Sequence, residues 1–441
     1  MNAAAIRPIP LLHRWVWVLW ALLLAAVLAV AAVWMLNLRG EAPVSDVLPQ
    51  APASAQTVER GKYLARVGNC MSCHTAKGGA AYAGGRGIQT PFGTVFTSNL
   101  TPDDDTGLGR WSADHFWRAM HHGRSRDGRL LYPAFPYPEY TQVSREDTDA
   151  IYAYLRSLPP VKQAAPAHAL GFPYSSQGAL AVWRALFFTA GATPAPQPVS
   201  AEWARGEYLV RGLGHCAACH SPRNAWGATR GGGNDLQGGL LPLQQWYAPA
   251  LTSSAEAGVA HWKTEDVVAL LRTGQAPAQQ ASVSGPMADV VFNSTQHLTD
   301  MDARAMAVYL QALPQQAVPA GGARPVAASA ETLRLGARVY EQQCAQCHGA
   351  QGEGSPGAFP ALAGNRAVLL GEPDNLVQLV LHGGYAPATA GNPRPHGMPP
   401  FLHVLSDTEV AAVLSYVRGA WGHGAAPVST MDVYQRREAR R

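Results

Sequence analysis

All six cysteines of this 441-residue chain fall into three copies of one pattern: Cys70-Met71-Ser72-Cys73-His74, Cys216-Ala217-Ala218-Cys219-His220 and Cys344-Ala345-Gln346-Cys347-His348. On a helical turn, C-x-x-C-H puts both thiols on one face, where they can form thioethers to the two vinyl groups of a haem, and the following histidine meets the iron. A zinc site would need further ligands beside each cysteine pair, a second C-x-x-C or an H-x-x-x-H, and neither lies nearby. A thioredoxin-like redox motif explains C-x-x-C but not the histidine after every second cysteine, and its strand–helix context is missing. The expectation is therefore three covalently bound haem c groups. Cys70, Cys73, Cys216, Cys219, Cys344 and Cys347 would attach them, and His74, His220 and His348 would be the proximal iron ligands.

The elements that must position these motifs repeat with them. Before each comes a short helix with a glycine and an aromatic: Arg60-Gly61-Lys62-Tyr63-Leu64, Arg205-Gly206-Glu207-Tyr208-Leu209 and Gly336-Ala337-Arg338-Val339-Tyr340. After each come a glycine-rich loop and a second helix, Ser112 to Gly123, Thr264 to Gly274 and Asp374 to Gly383, each with an N-cap signal and a glycine stop. A capped apolar helix closes each copy, starting at Ser144, Thr299 and Ser406. The small glycine in the first helix lets the aromatic of the last approach closely. No convincing strand alternation is visible, so the expected class is all-α: three tandem class I cytochrome c domains.

The length suits about three domains of ~100 residues with something extra. The boundaries read as 1–40, cytoplasmic stub and transmembrane anchor; 41–56, a flexible tether rich in Ala, Pro, Ser and Gln; 57–160, 200–314 and 329–423, the three haem domains; 161–199 and 315–328, linkers; and 424–441, a basic tail, most simply solvated. Within the first linker Ala179-Leu180-Ala181-Val182-Trp183-Arg184 could form a short packed helix. Hydrophobic residues at 47%, charged residues at 15%, 34 prolines and 44 glycines suit small loop-rich domains that a haem helps to fill. A net charge of +4 gives no reason to expect nucleic acid as a partner.

From Trp15 to Leu38 there is no charged residue, a run long enough to cross a ~30 Å hydrocarbon core. A cleaved signal peptide is the competing reading, with Ala53-Ser54-Ala55 as its cleavage site. That site lies far beyond the apolar run, and the run exceeds the usual 7–15 residues of such a segment, so a retained single-pass anchor is expected. Arg7 and Arg14 precede the span and Arg39, Glu41 and Asp46 follow it, which puts the amino terminus in the cytoplasm and the haem domains in the bacterial periplasm. Haem attachment to C-x-x-C-H takes place on that side of the inner membrane.

A methionine thioether opposite the histidine makes a six-coordinate iron of raised potential, and it should come from the loop between the second and last helices. Met287 and Met398 stand at that step of the second and third copies. In the first copy the step falls in Tyr132-Pro133-Ala134-Phe135-Pro136-Tyr137, and Phe135 cannot bind iron. The first iron is therefore open or takes a substitute from Met120-His121-His122. His121 is the better candidate, since Met120 suits the helix core and His122 a contact at the haem crevice. The open iron is preferred.

Together with Thr90-Pro91-Phe92-Gly93, Asn99-Leu100-Thr101-Pro102-Asp103, Thr106-Gly107-Leu108-Gly109, Arg126-Asp127-Gly128 and Ser294-Thr295-Gln296-His297-Leu298-Thr299-Asp300, these residues resemble the three-haem, membrane-bound cytochrome c subunits of bacterial periplasmic dehydrogenases for alcohols, gluconate, aldehydes and nicotinate. The resemblance implies a subunit that is no enzyme alone, takes electrons from a dehydrogenase catalytic subunit and passes them to quinone or a terminal oxidase. It also implies methionine ligation at Met287 and Met398 and a departure at Phe135. The uncleaved anchor looks more like members serving molybdenum hydroxylases, such as aldehyde or nicotinate dehydrogenases, than quinoprotein- or flavoprotein-linked ones. A haem enzyme such as a peroxidase, using an open first iron, is the rival class. Gly231-Gly232-Gly233 suit a haem-crevice loop better than a phosphate cradle.

Overall fold

A computed structural model of the chain describes residues 11–49, 51–191, 200–229, 235–241, 243–276, 281–316 and 327–438. The Gly231-Gly232-Gly233 loop, Arg7, the Arg14 side chain and most of the 315–328 linker lie outside the described residues.

An apolar helix α1 (Leu11–Leu38) leads into the first repeat, formed by α2 (Ala55–Val67), α3 (Ala113–His122) and α4 (Arg145–Arg156). The following segment holds α5 (Gln177–Phe187), and the second repeat has α6 (Ala201–Glu207), α7 (Thr264–Thr273), α8 (Pro286–Asn293) and α9 (Asp300–Gln311). The third has α10 (Ala330–Gln343), α11 (Asp374–His382) and α12 (Asp407–Gly419), and α13 (Thr430–Glu438) follows.

In every repeat the first and last helices cross where the glycine sits. A Cβ on Gly61 would lie 1.8 Å from the Ala150 carbonyl oxygen, on Gly206 2.0 Å from that of Ala305, and on Gly336 2.1 Å from that of Ala412. The Cβ atoms of Tyr154, Tyr309 and Tyr416, one turn on, lie against the same glycines. The closing helices start as their sequences demand: Ser144, Thr299 and Ser406 accept from the backbone N–H of Asp147, Asp302 and Glu409. Of the second helices only α3 has a side-chain cap, Ser112; Thr264 and Asp374 are first helical residues, not caps. All three stop at glycines of positive φ, Gly123, Gly274 and Gly383.

The helices that carry the motifs are accompanied by short strands that the expected all-α class did not include. Four small antiparallel sheets occur among the described residues: β1 (Gly87–Thr90), β2 (Gly93–Phe96) and β3 (Ala169–Leu170) in one, then β4 (Gly239–Leu241) with β5 (Trp246–Ala248), β6 (Gln275–Ala276) with β7 (Ala281–Ser282), and β8 (Gly384–Tyr385) with β9 (Gly397–Met398). Strands of two to four residues are too short to show a period of two, so the sequence pattern missed them.

The first two repeats share a single core, in which Leu64, Phe116, Ile151 and Leu155 meet Leu209, Leu213, Val267 and Leu310; the third has its own, around Tyr340, Val377, Leu381, Val413 and Val417. The shared core is clasped reciprocally. Tyr63 Oη donates to Asp302 at 2.6 Å and accepts from the Thr299 N–H at 3.3 Å, while Tyr208 Oη donates to Asp147 at 2.6 Å and accepts from the Ser144 N–H at 3.2 Å. Each carboxylate also holds its own repeat's arginine: Arg60 with Asp147, and Arg205 with Asp302.

Two expectations for the chain's ends need correction. The stretch after the anchor is not free over its first half: Glu41 pairs with Arg124 at 2.9 Å, the Ser45 N–H donates to Asp114, and Ser112 Oγ donates to the Ser45 carbonyl. Nor is 424–441 a solvated tail in its described part. Val433 in α13 is fully buried, Arg436 pairs with Asp374, and Arg437 pairs with Asp407 while donating to the Leu402 and Leu405 carbonyls. The polar composition of that helix hid a docking held by ion pairs.

Candidate haem-attachment sites

Each motif is wound into one helical turn closed by the same bond: the N–H of His74, His220 and His348 donates to the carbonyl of Cys70, Cys216 and Cys344 at 3.0, 2.9 and 3.0 Å. The two thiols of each pair are thus three residues apart on one face, and all six cysteines are free of disulfides. Burial pushes the thiols of Cys70 and Cys216 up to about 12 and that of Cys344 up to about 11.

The three histidines are oriented alike. Nδ1 of His74 donates to the Ser98 carbonyl at 2.7 Å, of His220 to the Pro249 carbonyl at 2.7 Å, and of His348 to the Pro360 carbonyl at 2.9 Å. A proton fixed on Nδ1 leaves the lone pair on Nε2, and the bond holds the ring plane. Burial lowers the pKa of all three, which keeps them neutral.

Sequence reasoning missed the device that sets these carbonyls in place. The carbonyl of each motif histidine accepts from a glycine N–H: Gly84, Gly238 and Gly354, each at 2.8 Å. All three glycines have positive φ, and a Cβ on them would collide with the backbone at Ser98, at Ala250 and at Ala361 and Pro360, the segments that carry the orienting carbonyls. The glycine-rich loop after each motif was the available signal; which glycine backs onto which carbonyl was not. This donor set fits haem c: a thiol pair on one face, and one histidine per pair with its Nε2 available and its other nitrogen satisfied.

The other predicted residues are placed as follows. Met287 is half-buried in the first turn of α8, and Met398 is half-buried on β9, opposite Gly384 and packed against the third core. Phe135 packs on the shared core, its ring 5.5 Å from that of Tyr140. The core face of α3 carries Phe116 and Met120. His121 lies on another face, stacked on Trp117 at 4.3 Å, with Nδ1 buried and lacking a hydrogen-bond partner. Burial holds its pKa down at about 4. His122 is buried and its carbonyl accepts from Arg184. Glu139 was not foreseen at all: it is 5% exposed, and burial pushes its carboxyl up to about 7 against the opposing influence of Arg223.

Three like-built C-x-x-C-H turns beside crossed helices are the pattern of a c-type cytochrome, and the cytochrome c family model matches residues 58–159 and 333–421. The chain is 39% identical over 402 residues to the cytochrome c subunit of alcohol dehydrogenase (quinone) from Gluconobacter oxydans (strain 621H), covering 87% of this chain and 83% of that one. It is 40% identical over 399 residues to the gluconate 2-dehydrogenase cytochrome c subunit of Pantoea cypripedii, covering 86% and 89%. It is also 42% identical over 384 residues to a nicotinate dehydrogenase subunit of Pseudomonas putida, covering 85% of this chain but 31% of that longer one. The chain belongs to the family of cytochrome c subunits of dehydrogenases. Membership implies covalent haem c and electron transfer from a dehydrogenase catalytic subunit.

Proposed function

We infer that the chain carries three haem c groups, receives electrons from a periplasmic dehydrogenase catalytic subunit, and delivers them to quinone or a terminal oxidase from a single-pass position in the bacterial inner membrane. The observation that carries this reading is the threefold recurrence of one arrangement: a C-x-x-C turn, a histidine held through Nδ1 by a backbone carbonyl, and a positive-φ glycine that fixes both. Haem c, when bound, supplies one-electron redox chemistry. The residues' part is to hold it and set its potential: six cysteines as thioethers, His74, His220 and His348 as proximal ligands, Met287 and Met398 as distal ones, and a Phe135 side where the first iron is left open. His121 is the substitute ligand if that iron is closed; its stacking on Trp117, off the core face of α3, favours the open form.

The segment Trp15–Leu38 is long and apolar enough to cross a membrane. Its outer end is built into the first repeat through Asn37, whose carbonyl accepts from Arg124, and Glu41, which favours an anchor that stays rather than a leader that leaves. An anchor that stays is the ground for a molybdenum hydroxylase-type partner, of the aldehyde or nicotinate kind, while the similarity to subunits of a quinone-linked alcohol dehydrogenase and of gluconate 2-dehydrogenase weighs toward a quinoprotein or flavoprotein one. The test is to purify the chain with its partner from membranes. Three haems per chain by pyridine haemochrome, reduction by the partner's substrate and reoxidation by a soluble quinone are expected, with molybdopterin in the partner. Two haems, or rapid peroxide turnover by the isolated chain, would overturn the assignment; a quinone or flavin cofactor in the partner would overturn only the partner type.

A further inference from the structure

Helix α5 is inside out for a helix in water. Its single charged residue, Arg184, is buried: Nε donates to Asn37 Oδ1 at 2.9 Å, Nη1 donates to the His122 carbonyl, and the guanidinium lies over the Tyr137 and Phe188 rings. Past the first turn, where Gln177 and Gly178 are exposed, the residues it turns outward are Val182 and Leu186, one turn apart and 42% and 63% exposed. The charged group a soluble helix would show is turned inward beside buried Leu180, and an apolar pair stands on the outward side where polar residues are expected.

The exposed apolar surface continues beyond the helix. Trp183 Nε1 donates to the Trp226 carbonyl at 2.9 Å, and Trp226 is 55% exposed. Phe172 and Tyr174, on the loop leading into α5, are 87% and 41% exposed, and Tyr174 leans on Phe92, which in turn abuts Gly227 beside Trp226. Tryptophan and tyrosine, with a polar end and an apolar body, are the residues that favour a bilayer's headgroup level.

The position of this surface identifies what covers it. Asn37, in the last turn of α1, donates to the carbonyl of Ala181, the residue before Val182, while also accepting from Arg184. The outward face of α5 thus begins where the apolar span ends, and Leu186 lies about 7.5 Å further along the helix axis at ~1.5 Å per residue. We propose that α5, with Trp226, Phe172 and Tyr174, is a membrane seat: an interfacial patch that rests in the headgroup region beside the span and fixes the first two repeats against the bilayer. This rests on the reading of Trp15–Leu38 as a retained anchor. A span alone leaves a domain free to pivot, whereas a span clamped to an interfacial helix sets the height and orientation of the haem sites above the lipid.

The test uses the full-length haem-loaded chain in phosphatidylcholine–phosphatidylglycerol vesicles, with an environment-sensitive fluorophore on single cysteines and two quenchers used separately: lipids spin-labelled near the headgroup for the seat, and lipids spin-labelled deep on the acyl chain for the span. Labels at Leu186→Cys and Phe172→Cys report the seat, Leu28→Cys the span, and Met301→Cys, 79% exposed on the second repeat, the water-facing control. All four side chains are already outside the packed core, so the labelled proteins should fold. Quenching at 186 and 172 several-fold above that at 301 is expected. Quenching at 186 and 172 equal to that at 301, with 28 strongly quenched, overturns the seat and leaves the anchor standing. Absence of quenching at 28 overturns the anchor and the seat with it. Shielding of 186 and 172 only on adding the catalytic subunit overturns the seat in favour of a protein interface.

Discussion

The residues that decide how the three sites differ are the ones opposite the histidines. Met287 and Met398 stand at one step of the repeat, each half-buried beside a glycine-bounded turn, and as the proposed ligands their thioethers would hold an iron six-coordinate and raise its potential. Met287→Ala and Met398→Ala should each abolish one sulfur-to-iron charge-transfer band and lower one of three potentials in a spectroelectrochemical titration; an unchanged titration would mean another residue is the ligand. At the first site Phe135 stands at the equivalent step, its ring 6.3 and 5.5 Å from those of Tyr137 and Tyr140, and its own side chain carries no iron-binding atom. One haem in three should therefore be high-spin and bind carbon monoxide, and Phe135→Met should turn it low-spin. If all three are inert to carbon monoxide and His121→Ala makes one reactive, the first iron is closed by His121.

At the scale of elements, the helix crossing is the part of the fold most exposed to single changes. A methyl on Gly61 would meet a backbone oxygen at 1.8 Å, and a carbonyl cannot swing aside as a side chain can. Gly61→Ala should cost roughly 3 kcal/mol or more, read as a lowered midpoint in denaturant, with Gly336→Ala equally severe for the third repeat. A substitution at exposed Gly78, near the same motif but with open space around it, should cost far less despite its positive φ. These crossings were legible because glycine and tyrosine recur at fixed places before and after each motif. The packed helix in the 161–199 segment was legible from its apolar run. The small sheets were not, because two residues carry no period, and neither was α13, whose hold on the third repeat comes from Arg436 and Arg437 finding carboxylates far away in sequence. Periodicity says which face of a helix is covered, not by what.

The same limit operates at the scale of the whole molecule, where the sequence suggested three like units and the structure fuses two. The difference lies in two positions. Arg60 and Tyr63 recur as Arg205 and Tyr208, but the third repeat has Leu335 and Arg338 at those places, and only the first two repeats exchange tyrosines across a common core. In each exchange a tyrosine bridges the other repeat's N-cap and its carboxylate, so the start of each closing helix is completed from outside its own repeat. Asp302 shows the energetic consequence. Burial alone would raise its pKa, yet the Arg205 guanidinium and the Tyr63 hydroxyl outweigh burial and hold it below the usual carboxylate range. A carboxyl whose folded value is depressed adds stability that is present above its unfolded value, about pH 3.9, and is lost as pH falls through the folded one. Asp302→Asn should therefore destabilise the chain by roughly 2–4 kcal/mol at neutral pH, since it strands a partly buried arginine, and should flatten the acid limb of the stability profile. The cross-repeat character makes the distinguishing measurement: hydrogen exchange should rise in Ala55–Val67 of the first repeat as well as in Ala201–Glu207 of the second, because an uncharged amide has one oxygen where the carboxylate had two and cannot accept from both Arg205 and Tyr63. Asp147→Asn should give the mirror result through Tyr208. If either variant loosened only its own repeat, the two would be neighbours in contact rather than one folding unit.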